Sequence, residues 1–313
     1  VNIREAIVEL NQVFFLESHF SGGALSGPYV NASSYPQKTG LVMNANYVAA
    51  AGCTFRNYLN GVVMNGINFL ISNDLSYISE DAIRFSSAVD PVIPPQFIVV
   101  ENTITKVGAN HNGGAGHPDY IQGFARTYDS PSVYIVGNIM TNTNPDGSLD
   151  QLWTQGLHFN EFNPGPRGEI VISRNIIDTR HNELGGLITG TALAFYDSAR
   201  KVRIEQNTLL GASVRVELNS SEEIGELIYR DNISSASVSK IGSILSDVTN
   251  NFIGSGWVSP SNYVSPGLGE SPTYRHCALE FRPGTFIPYR NQTCSVLGIS
   301  SIGRSYVGAV PPS

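Results

Sequence analysis

Charged residues are scarce in this sequence, and lysines are scarcer still. Only 14% of the 313 residues are charged, and 19 Lys and Arg against 26 Asp and Glu leave a formal net charge of −7. So low a charged fraction disfavours coiled coils and disordered acidic tails. The acidic balance disfavours a nucleic-acid backbone as the partner. No apolar run approaches the roughly 20 residues of a membrane-spanning helix, so no membrane insertion is predicted.

Cysteines are also few, and three of them do not make a disulfide scaffold. Cys53 stands among small apolar residues and is predicted to lie in the core. Cys277 and Cys294 lie in a Gly- and Pro-rich tail, where one bridge and two free thiols are equally compatible with the sequence. Glycine and proline are plentiful, with 31 and 17 residues, which predicts many turns and favours a β-rich fold.

An internal repeat is present as short runs that each contain an asparagine at the same place. Counted from that Asn, the residues three and five positions earlier are apolar (Tyr229 included), which is the alternation of a half-buried strand. The runs are FIVVENTI (97–104), VYIVGNIM (133–140), IVISRNII (170–177), VRIEQNTL (202–209) and LIYRDNI (227–233).

A second strand-like run precedes each of these at a nearly constant separation. The second set is DAIRF (81–85), DYIQGF (119–124), QGLHF (155–159), TALAF (191–195) and VRVEL (214–218). Two strand types repeating in register predict a parallel β-solenoid, in which each unit forms one coil. The asparagines then fall at the same turn of successive coils, where their side-chain amides can bond to one another along the axis.

With this repeat, the chain resembles the right-handed parallel β-helix (pectate-lyase-like) superfamily of carbohydrate-active and phage or bacterial surface proteins. The resemblance implies an all-β right-handed parallel β-helix over residues 40–254. It implies a cap region over 1–39, where residues 3–15 would form a short amphipathic helix, and an irregular C-terminal cap or extension over 255–313. It also implies an extracellular, cell-surface or phage-particle location, and side-by-side homotrimers are an expectation of the same resemblance.

Alternation along the second strand predicts which side chains face outward. Ile83, Leu157, Leu193 and Val216 are predicted to point into the solenoid. One outward column would then contain Arg84, Gln122, His158, Ala194 and Glu217, and a parallel outward column Ala82, Tyr120, Gly156, Ala192 and Arg215. Long loops at 106–118, 141–154 and 178–190 enter the same strand and would wall the columns into a groove.

The string from Gly116 to Gln122 is the most distinctive local motif in this groove. It resembles a His-x-Asp-x-x-Gln string of bacterial and phage-associated β-helix proteins, and here it places His117, Asp119 and Gln122. Asp119 is equally compatible with turning inward to cap backbone amides, and packing in a loop is favoured over catalysis for His117. His158, outward and next to Gln122 and Asn160, favours a functional role.

A long groove on a β surface suits an extended polymer, and the resemblance implies a polysaccharide. The first hypothesis is a lyase that cleaves an anionic glycan by β-elimination, with His158 as base. Arg84 or Arg126 would hold the substrate carboxylate, and Tyr120 or Tyr196 would supply a proton. The chain lacks a clear lyase signature of the superfamily, and no lysine falls in the outward columns.

Two other classes of protein remain open. A glycoside hydrolase would need a pair of carboxyl groups, for which Asp119, Glu161 and Asp197 are the candidates. A non-catalytic glycan-binding tailspike or adhesin would use the same groove, which Glu217 would also line. Trp153 is suited either to stack on a sugar or to anchor its loop. No cofactor is predicted: the aspartates of NPDGSLD (144–150) could bind Ca²⁺, but their spacing matches no complete EF-hand loop.

Overall fold

The structure of the protein is a computed structural model. The described residues are 13–22, 39–45, 47–86, 95–108, 118–123, 132–142, 154–159, 165–183, 186–195, 199–211, 213–216, 224–234, 238–240, 245–249, 251–253, 279–281 and 288–290. These residues form strands and the turns between them, and they contain no helix long and apolar enough to cross a membrane. Cys277, Cys294 and residues 143–150 lie outside them.

Three parallel sheets make up the body of the molecule. Sheet A has nine strands, which are β1 (Val13–Leu16), β4 (Val48–Ala51), β7 (Ile67–Ile71), β10 (Gln96–Val100), β13 (Ser132–Val136), β16 (Gly165–Ser173), β21 (Ala199–Glu205), β24 (Ile224–Arg230) and β27 (Leu245–Thr249). Sheet B also has nine, which are β2 (His19–Ser21), β5 (Thr54–Tyr58), β8 (Asp74–Ile78), β11 (Thr103–Val107), β14 (Ile139–Thr141), β17 (Ile176–Asp178), β22 (Thr208–Leu210), β25 (Ile233–Ser234) and β28 (Phe252–Ile253).

Sheet C has eight strands, and two antiparallel pairs lie outside the three sheets. The strands of sheet C are β3 (Thr39–Met43), β6 (Asn60–Met64), β9 (Ile83–Phe85), β12 (Asp119–Gly123), β15 (Gln155–Phe159), β20 (Leu193–Phe195), β23 (Val214–Val216) and β26 (Val238–Lys240). The antiparallel pairs are β18 (Arg180–Glu183) with β19 (Gly186–Thr189), and β29 (Leu279–Phe281) with β30 (Pro288–Arg290).

The chain visits the sheets in the order A, B, C and then returns to A. Each sheet pairs a strand with the equivalent strand of the next turn, for example β10 with β13 and β11 with β14. We call one strand from each sheet, taken in this order, a coil. The all-β architecture of parallel sheets stacked coil on coil is consistent with the predicted parallel β-helix.

The corner between sheets A and B is the same in every coil. Two residues separate each strand of sheet A from the next strand of sheet B, as Gly137 and Asn138 do between β13 and β14. The first of the two has a positive φ, between 47° and 69°, at Glu17, Gly52, Ser72, Glu101, Gly137, Arg174, Gln206 and Asp231. This left-handed residue turns the backbone sharply, and its repetition keeps successive corners superimposed.

The predicted asparagine ladder occupies the second residue of this corner. The Oδ1 atom of each Asn accepts hydrogen bonds of 2.9–3.1 Å from the backbone N–H and the Nδ2 of the Asn one coil earlier. The members are Asn73, Asn102, Asn138, Asn175, Asn207, Asn232 and Asn251. The sequence repeat therefore predicted the members from Asn102 to Asn232, and the ladder extends one Asn further at each end.

Cys53 occupies the ladder position one coil before Asn73. Its backbone N–H donates to Asn73 Oδ1 at 2.8 Å, and its Sγ lies 3.4 Å from the Phe15 carbonyl oxygen and 3.5 Å from that of Ala51. These carbonyls match those that each Asn Nδ2 meets elsewhere, because Phe15 pairs with Ala50, whose carbonyl accepts from Asn73. The prediction of a core position for Cys53 is confirmed, since its exposed fraction is 1%.

The interior is filled by apolar side chains from all three sheets. Ile83, Leu157, Leu193 and Val216 are buried as predicted. Phenylalanines stack along the axis, with ring centroids 4.7 Å apart for Phe85 and Phe97 and 6.3 Å apart for Phe85 and Phe159. Offset stacking of this kind adds to the stabilisation from burial.

The N-terminal prediction needs correction at one point. Residues 13–15 were predicted to belong to a helix, but they form most of β1, which pairs with β4 in parallel. Alternating exposure along β1, with Phe14 and Leu16 outward, reflects a strand on a sheet face rather than a helical stripe. Residues 3–12 of the predicted helix lie outside the described residues.

Candidate functional site

A column of outward side chains crosses the middle of sheet C in strict register. Arg84 pairs with Gln122, Gln122 with His158, His158 with Ala194 and Ala194 with Arg215. We call these residues the sheet C stripe. Neighbouring strands are about 4.8 Å apart, so His158 lies two coils, roughly 10 Å, from both Arg84 and Arg215. The stripe therefore carries a histidine midway between two cations.

The far end of the stripe differs from the sequence prediction by two residues. Val214, not Val216, pairs with Leu193, which places Arg215 in the column where Glu217 was expected. The Asn spacing misled the alignment because the connections into and out of sheet C vary in length, whereas only the corner from sheet A to sheet B is constant. The stripe therefore ends in a positive charge, and Glu217 lies outside the described residues.

The second predicted outward column is wrong for Ala82, Tyr120 and Ala192, which face the interior; its last member, Arg215, is exposed and belongs to the sheet C stripe instead. Ala82, Tyr120 and Ala192 are fully buried, and the Tyr120 hydroxyl donates to the Asp178 carbonyl oxygen at 2.8 Å. A Cβ added at Gly156 would collide with the carbonyl oxygen of Ala192. Simple alternation fails here because the column begins directly after a corner, where the backbone packs against sheet B. The buried, hydrogen-bonded Tyr120 hydroxyl is poorly placed to donate a proton to a substrate.

Three polar side chains converge at the centre of the stripe. His158 Nδ1 lies 2.8 Å from Gln155 Oε1 and 3.9 Å from Asp119 Oδ1. Gln155 and Asp119 are register partners on β15 and β12, so the contact joins two adjacent coils. The His158 side chain is 13% exposed, whereas the Asp119 side chain is fully buried. The imidazole is thus held through Nδ1, and a small part of the ring remains exposed.

The beginning of β15 is held firmly by its neighbours. Gln155 N–H donates to the Pro118 carbonyl oxygen at 2.8 Å, and Thr154 Oγ1 donates to the same oxygen at 3.1 Å. Gly190 packs against this segment so closely that an added Cβ would collide with the Thr154 carbonyl oxygen. Gln155 was not predicted as a site residue. It is the first residue of β15, where the alternation of inward and outward side chains is not yet regular.

The surface along the stripe changes from coil to coil. Arg84 and Gln122 are partly exposed, Ala194 is 1% exposed, and Arg215 is exposed. Arg215 Nε donates to Ser213 Oγ at 3.2 Å, which orients its guanidinium. On the other side of Arg84 the column continues with Val63 and Val42, so the polar part begins at Arg84.

Of the predicted site residues, the structure brings His158, Asp119, Gln122 and Arg84 together on adjacent strands. The rest of the predicted set, apart from Tyr120, lies outside the described residues: His117, Arg126, Trp153, Asn160, Glu161, Tyr196, Asp197 and Glu217. Within the described part of the chain, no group of three His, Cys, Asp or Glu side chains is arranged to hold a metal ion.

No family model, curated protein or solved structure matches this chain. The fold is therefore supported by the three parallel sheets and the asparagine ladder themselves. Any inference about function therefore depends on the geometry of the sheet C stripe and on the resemblance of the repeat to right-handed parallel β-helix proteins.

Proposed function

We propose that this protein is a polysaccharide lyase that binds an extended anionic glycan along the sheet C stripe and cleaves it by β-elimination. The observation that carries the proposal is the in-register placement of His158 midway between Arg84 and Arg215. Regular spacing along the axis suits a polymer whose charges also repeat. Cations flanking a partly exposed imidazole favour a substrate with carboxylate groups.

In the proposed reaction, His158 takes the proton from the carbon next to the substrate carboxylate. The electron pair of that C–H bond forms a carbon–carbon double bond, and the bond to the glycosidic oxygen breaks. The leaving oxygen then receives a proton, either from the His158 imidazolium or from water. No oxidant or reductant is needed, because cleavage is balanced by formation of the double bond.

Gln122 and Arg84 would bind the substrate carboxylate while His158 removes the proton. Gln122 is one coil from His158 and Arg84 is one coil further, on the same face of sheet C. An amide N–H and a guanidinium at these places would hold the substrate carboxylate and stabilise the charge that develops when its neighbouring carbon loses a proton. Arg215 would bind a carboxylate further along the polymer.

The wider setting of the protein is part of the same proposal. Membership of the right-handed parallel β-helix superfamily is supported by the parallel sheets and by the repeated A–B corner. An extracellular, cell-surface or particle-bound location and a homotrimeric assembly would suit a protein acting on glycans outside the cell. Both are proposals that follow from the resemblance.

Hydrolysis and simple binding are the two alternatives. Hydrolysis needs two carboxyl groups about 5–10 Å apart on either side of the scissile bond. Asp119 is the one carboxylate that the described residues place at His158, and its burial leaves it poorly placed to contact a sugar. A glycan-binding protein would need the cations of the stripe but not the imidazole.

The test is to incubate the protein with a panel of uronate-containing and neutral polysaccharides. Ultraviolet absorbance from unsaturated product ends would support elimination, and its loss in His158→Gln would assign the base. His19→Gln is the matched control, because His19 is an exposed histidine on sheet B. New reducing ends without that absorbance would indicate hydrolysis, and retention of a glycan without either signal would indicate binding alone. Neither cleavage nor retention of any polymer would overturn the proposal.

A further inference from the structure

We infer that Gln155 is a positioning residue that fixes the tautomer of His158, with the proton on Nδ1 and the lone pair on Nε2. The inference about the tautomer stands on the geometry alone. Its catalytic consequence rests on the proposed function, in which Nε2 is the atom that takes the substrate proton.

The first support is the short contact between the two side chains. Gln155 Oε1 lies 2.8 Å from His158 Nδ1, and an amide oxygen can only accept a hydrogen bond. With the amide in this orientation, the hydrogen lies on Nδ1. In a neutral imidazole only one nitrogen carries a hydrogen, so Nε2 is then the basic atom.

The second support is independent and comes from the neighbouring coil. Asp119 Oδ1 lies 3.9 Å from the same nitrogen, and the Asp119 side chain is fully buried. A negative charge close to Nδ1 favours a hydrogen there and disfavours a lone pair. It also favours the amide orientation in which Gln155 presents its oxygen, rather than its NH₂ group, to the ring.

The third support is the rigidity of the backbone that carries Gln155. Its N–H is bonded to the Pro118 carbonyl oxygen, and Gly190 packs against the preceding residue, Thr154. The fixed backbone holds the Cα atom of Gln155 at one place relative to β12, so only the side chain of Gln155 has to be ordered when it contacts His158.

The neutral amide has a chemical advantage over a carboxylate at this position. An oxygen acceptor orients the ring and sets the tautomer, whereas an adjacent charge would also favour the protonated imidazolium. An imidazolium cannot act as a base. The structure thus places the uncharged Gln155 in direct contact with Nδ1, whereas the carboxyl group of Asp119 lies 3.9 Å away.

The tautomer can be measured without any substrate. The protein would be labelled with ¹⁵N in its histidine rings, and the His158 signals assigned by their absence in His158→Gln. At a pH where His158 is neutral, we expect Nδ1 to be protonated in the unmodified protein. We expect Gln155→Leu to reduce the population of this tautomer and Gln155→Glu, which keeps an acceptor oxygen, to retain it. Gln96→Leu, the same substitution at an exposed position of sheet A, should change nothing.

Protonation on Nε2 in the unmodified protein, or an unchanged tautomer in Gln155→Leu, would overturn the inference. Activity provides the second readout. On a cleaved glycan, Gln155→Leu should lower kcat by roughly 100-fold with little change in KM, because the base is in the wrong tautomer. Gln155→Glu should restore most of the rate and shift the rise of the pH profile to higher pH. A protein with the expected tautomer that cleaves no glycan would contradict the proposed function and leave the tautomer assignment intact.

Discussion

Asn138 Oδ1 accepts two hydrogen bonds from Asn102, one from its backbone N–H at 2.9 Å and one from its Nδ2 at 3.0 Å. Both residues are fully buried, and 36 positions of sequence separate them. The same double contact recurs between each neighbouring pair of the ladder, so each asparagine accepts from a buried backbone N–H that would otherwise have no acceptor.

Removing a central member of the ladder should therefore be costly. We expect Asn138→Ala to lower the free energy of unfolding by roughly 3 kcal/mol, because it leaves the buried Asn102 N–H without its acceptor and removes the hydrogen bonds that Asn138 Nδ2 donates to Val99 and Asn175. Asn251→Ala, at the partly exposed end, should cost only about 1 kcal/mol, because water can replace the lost partner. Urea denaturation of both variants measures the difference, and equal losses would contradict a ladder that acts through burial.

Replacing Cys53 by asparagine should extend the ladder by one coil. The Sγ of Cys53 already lies near the two carbonyl oxygens that an Asn Nδ2 would meet, and its N–H is already bonded to Asn73. We expect Cys53→Asn to raise the free energy of unfolding by about 1 kcal/mol and Cys53→Ala to lower it by a similar amount. Destabilisation by Cys53→Asn would show that the first coils differ in shape from the rest.

The coil register could be predicted from the sequence because of the same ladder. A buried amide ladder demands one residue type at one position of each coil, so Asn102, Asn138, Asn175 and the later members reveal the coil register directly. The stripe of sheet C has no such requirement, and the connections that precede it differ in length. Arg84, Gln122 and His158 were nevertheless aligned correctly. The variable connections explain why Glu217 was predicted where the structure has Arg215.

The sequence pattern did not predict that Tyr120 points inward or that Gln155 contacts His158, and the reason is related. Both residues lie near the first position of a sheet C strand, next to a corner, where alternation does not determine the direction of a side chain. Tyr120 reaches the Asp178 carbonyl oxygen two coils away, a contact that no local pattern encodes. Glycine at the equivalent position 156 was the available signal, since a column that includes Gly and Ala indicates a crowded corner.

Crowding at that corner can be tested with Gly156. Alanine there would direct its Cβ into the Ala192 carbonyl oxygen, so we expect Gly156→Ala to lower the free energy of unfolding by at least about 3 kcal/mol. Gly52 is the useful comparison, because it has a φ of 65° and no atom within 3.5 Å of an added Cβ. Gly52→Asn should cost about 1 kcal/mol or less, since Asn tolerates the left-handed region. Thermal or urea unfolding compares the two variants, and similar small losses would argue against close packing at the corner.

The two arginines of the stripe should determine the preference for anionic polymers. We expect Arg84→Gln and Arg215→Gln each to weaken binding of a uronate polymer by about threefold to tenfold. The effect is moderate because an ion pair between either arginine and a substrate carboxylate would be partly open to solvent. Binding of a neutral polymer should not change, and added salt should reduce the difference. Arg56→Gln, on the exposed face of sheet B, is the control. Equal losses for neutral and anionic polymers in affinity electrophoresis would exclude a role in charge recognition.

The buried hydroxyl of Tyr229 predicts an alkaline transition. Burial raises the pKa of Tyr229 to about 12, and a neighbouring Ser234 hydroxyl offsets only part of this effect. Because the folded-state pKa lies above the unfolded value of about 10, the stability contribution is complete below that pH and is lost as the pH rises towards 12. The loss should reach roughly 3 kcal/mol, and Tyr229→Phe should remove it. Urea midpoints measured between about pH 9 and 12 test this, and an unchanged slope in the variant would assign the transition to other groups.

The two kinds of connection between sheets differ in how much their lengths vary. The connection from sheet A to sheet B has two residues in every coil, whereas the connection from sheet B to sheet C is a single residue, Leu59, in one coil and is long enough to hold the β18–β19 hairpin in another. That hairpin is closed at its base, where Thr179 Oγ1 donates to the Gly190 carbonyl oxygen at 2.8 Å and Gly190 N–H donates to the Thr179 carbonyl oxygen at 3.1 Å. We expect that a segment between such a pair of residues can be lengthened, shortened or exchanged without disturbing the coils, because its ends stay fixed to each other. Under the proposed function, we expect that exchange of the segment between Thr179 and Gly190, which packs against Thr154, would change ligand specificity while the ladder on the other corner preserves the scaffold.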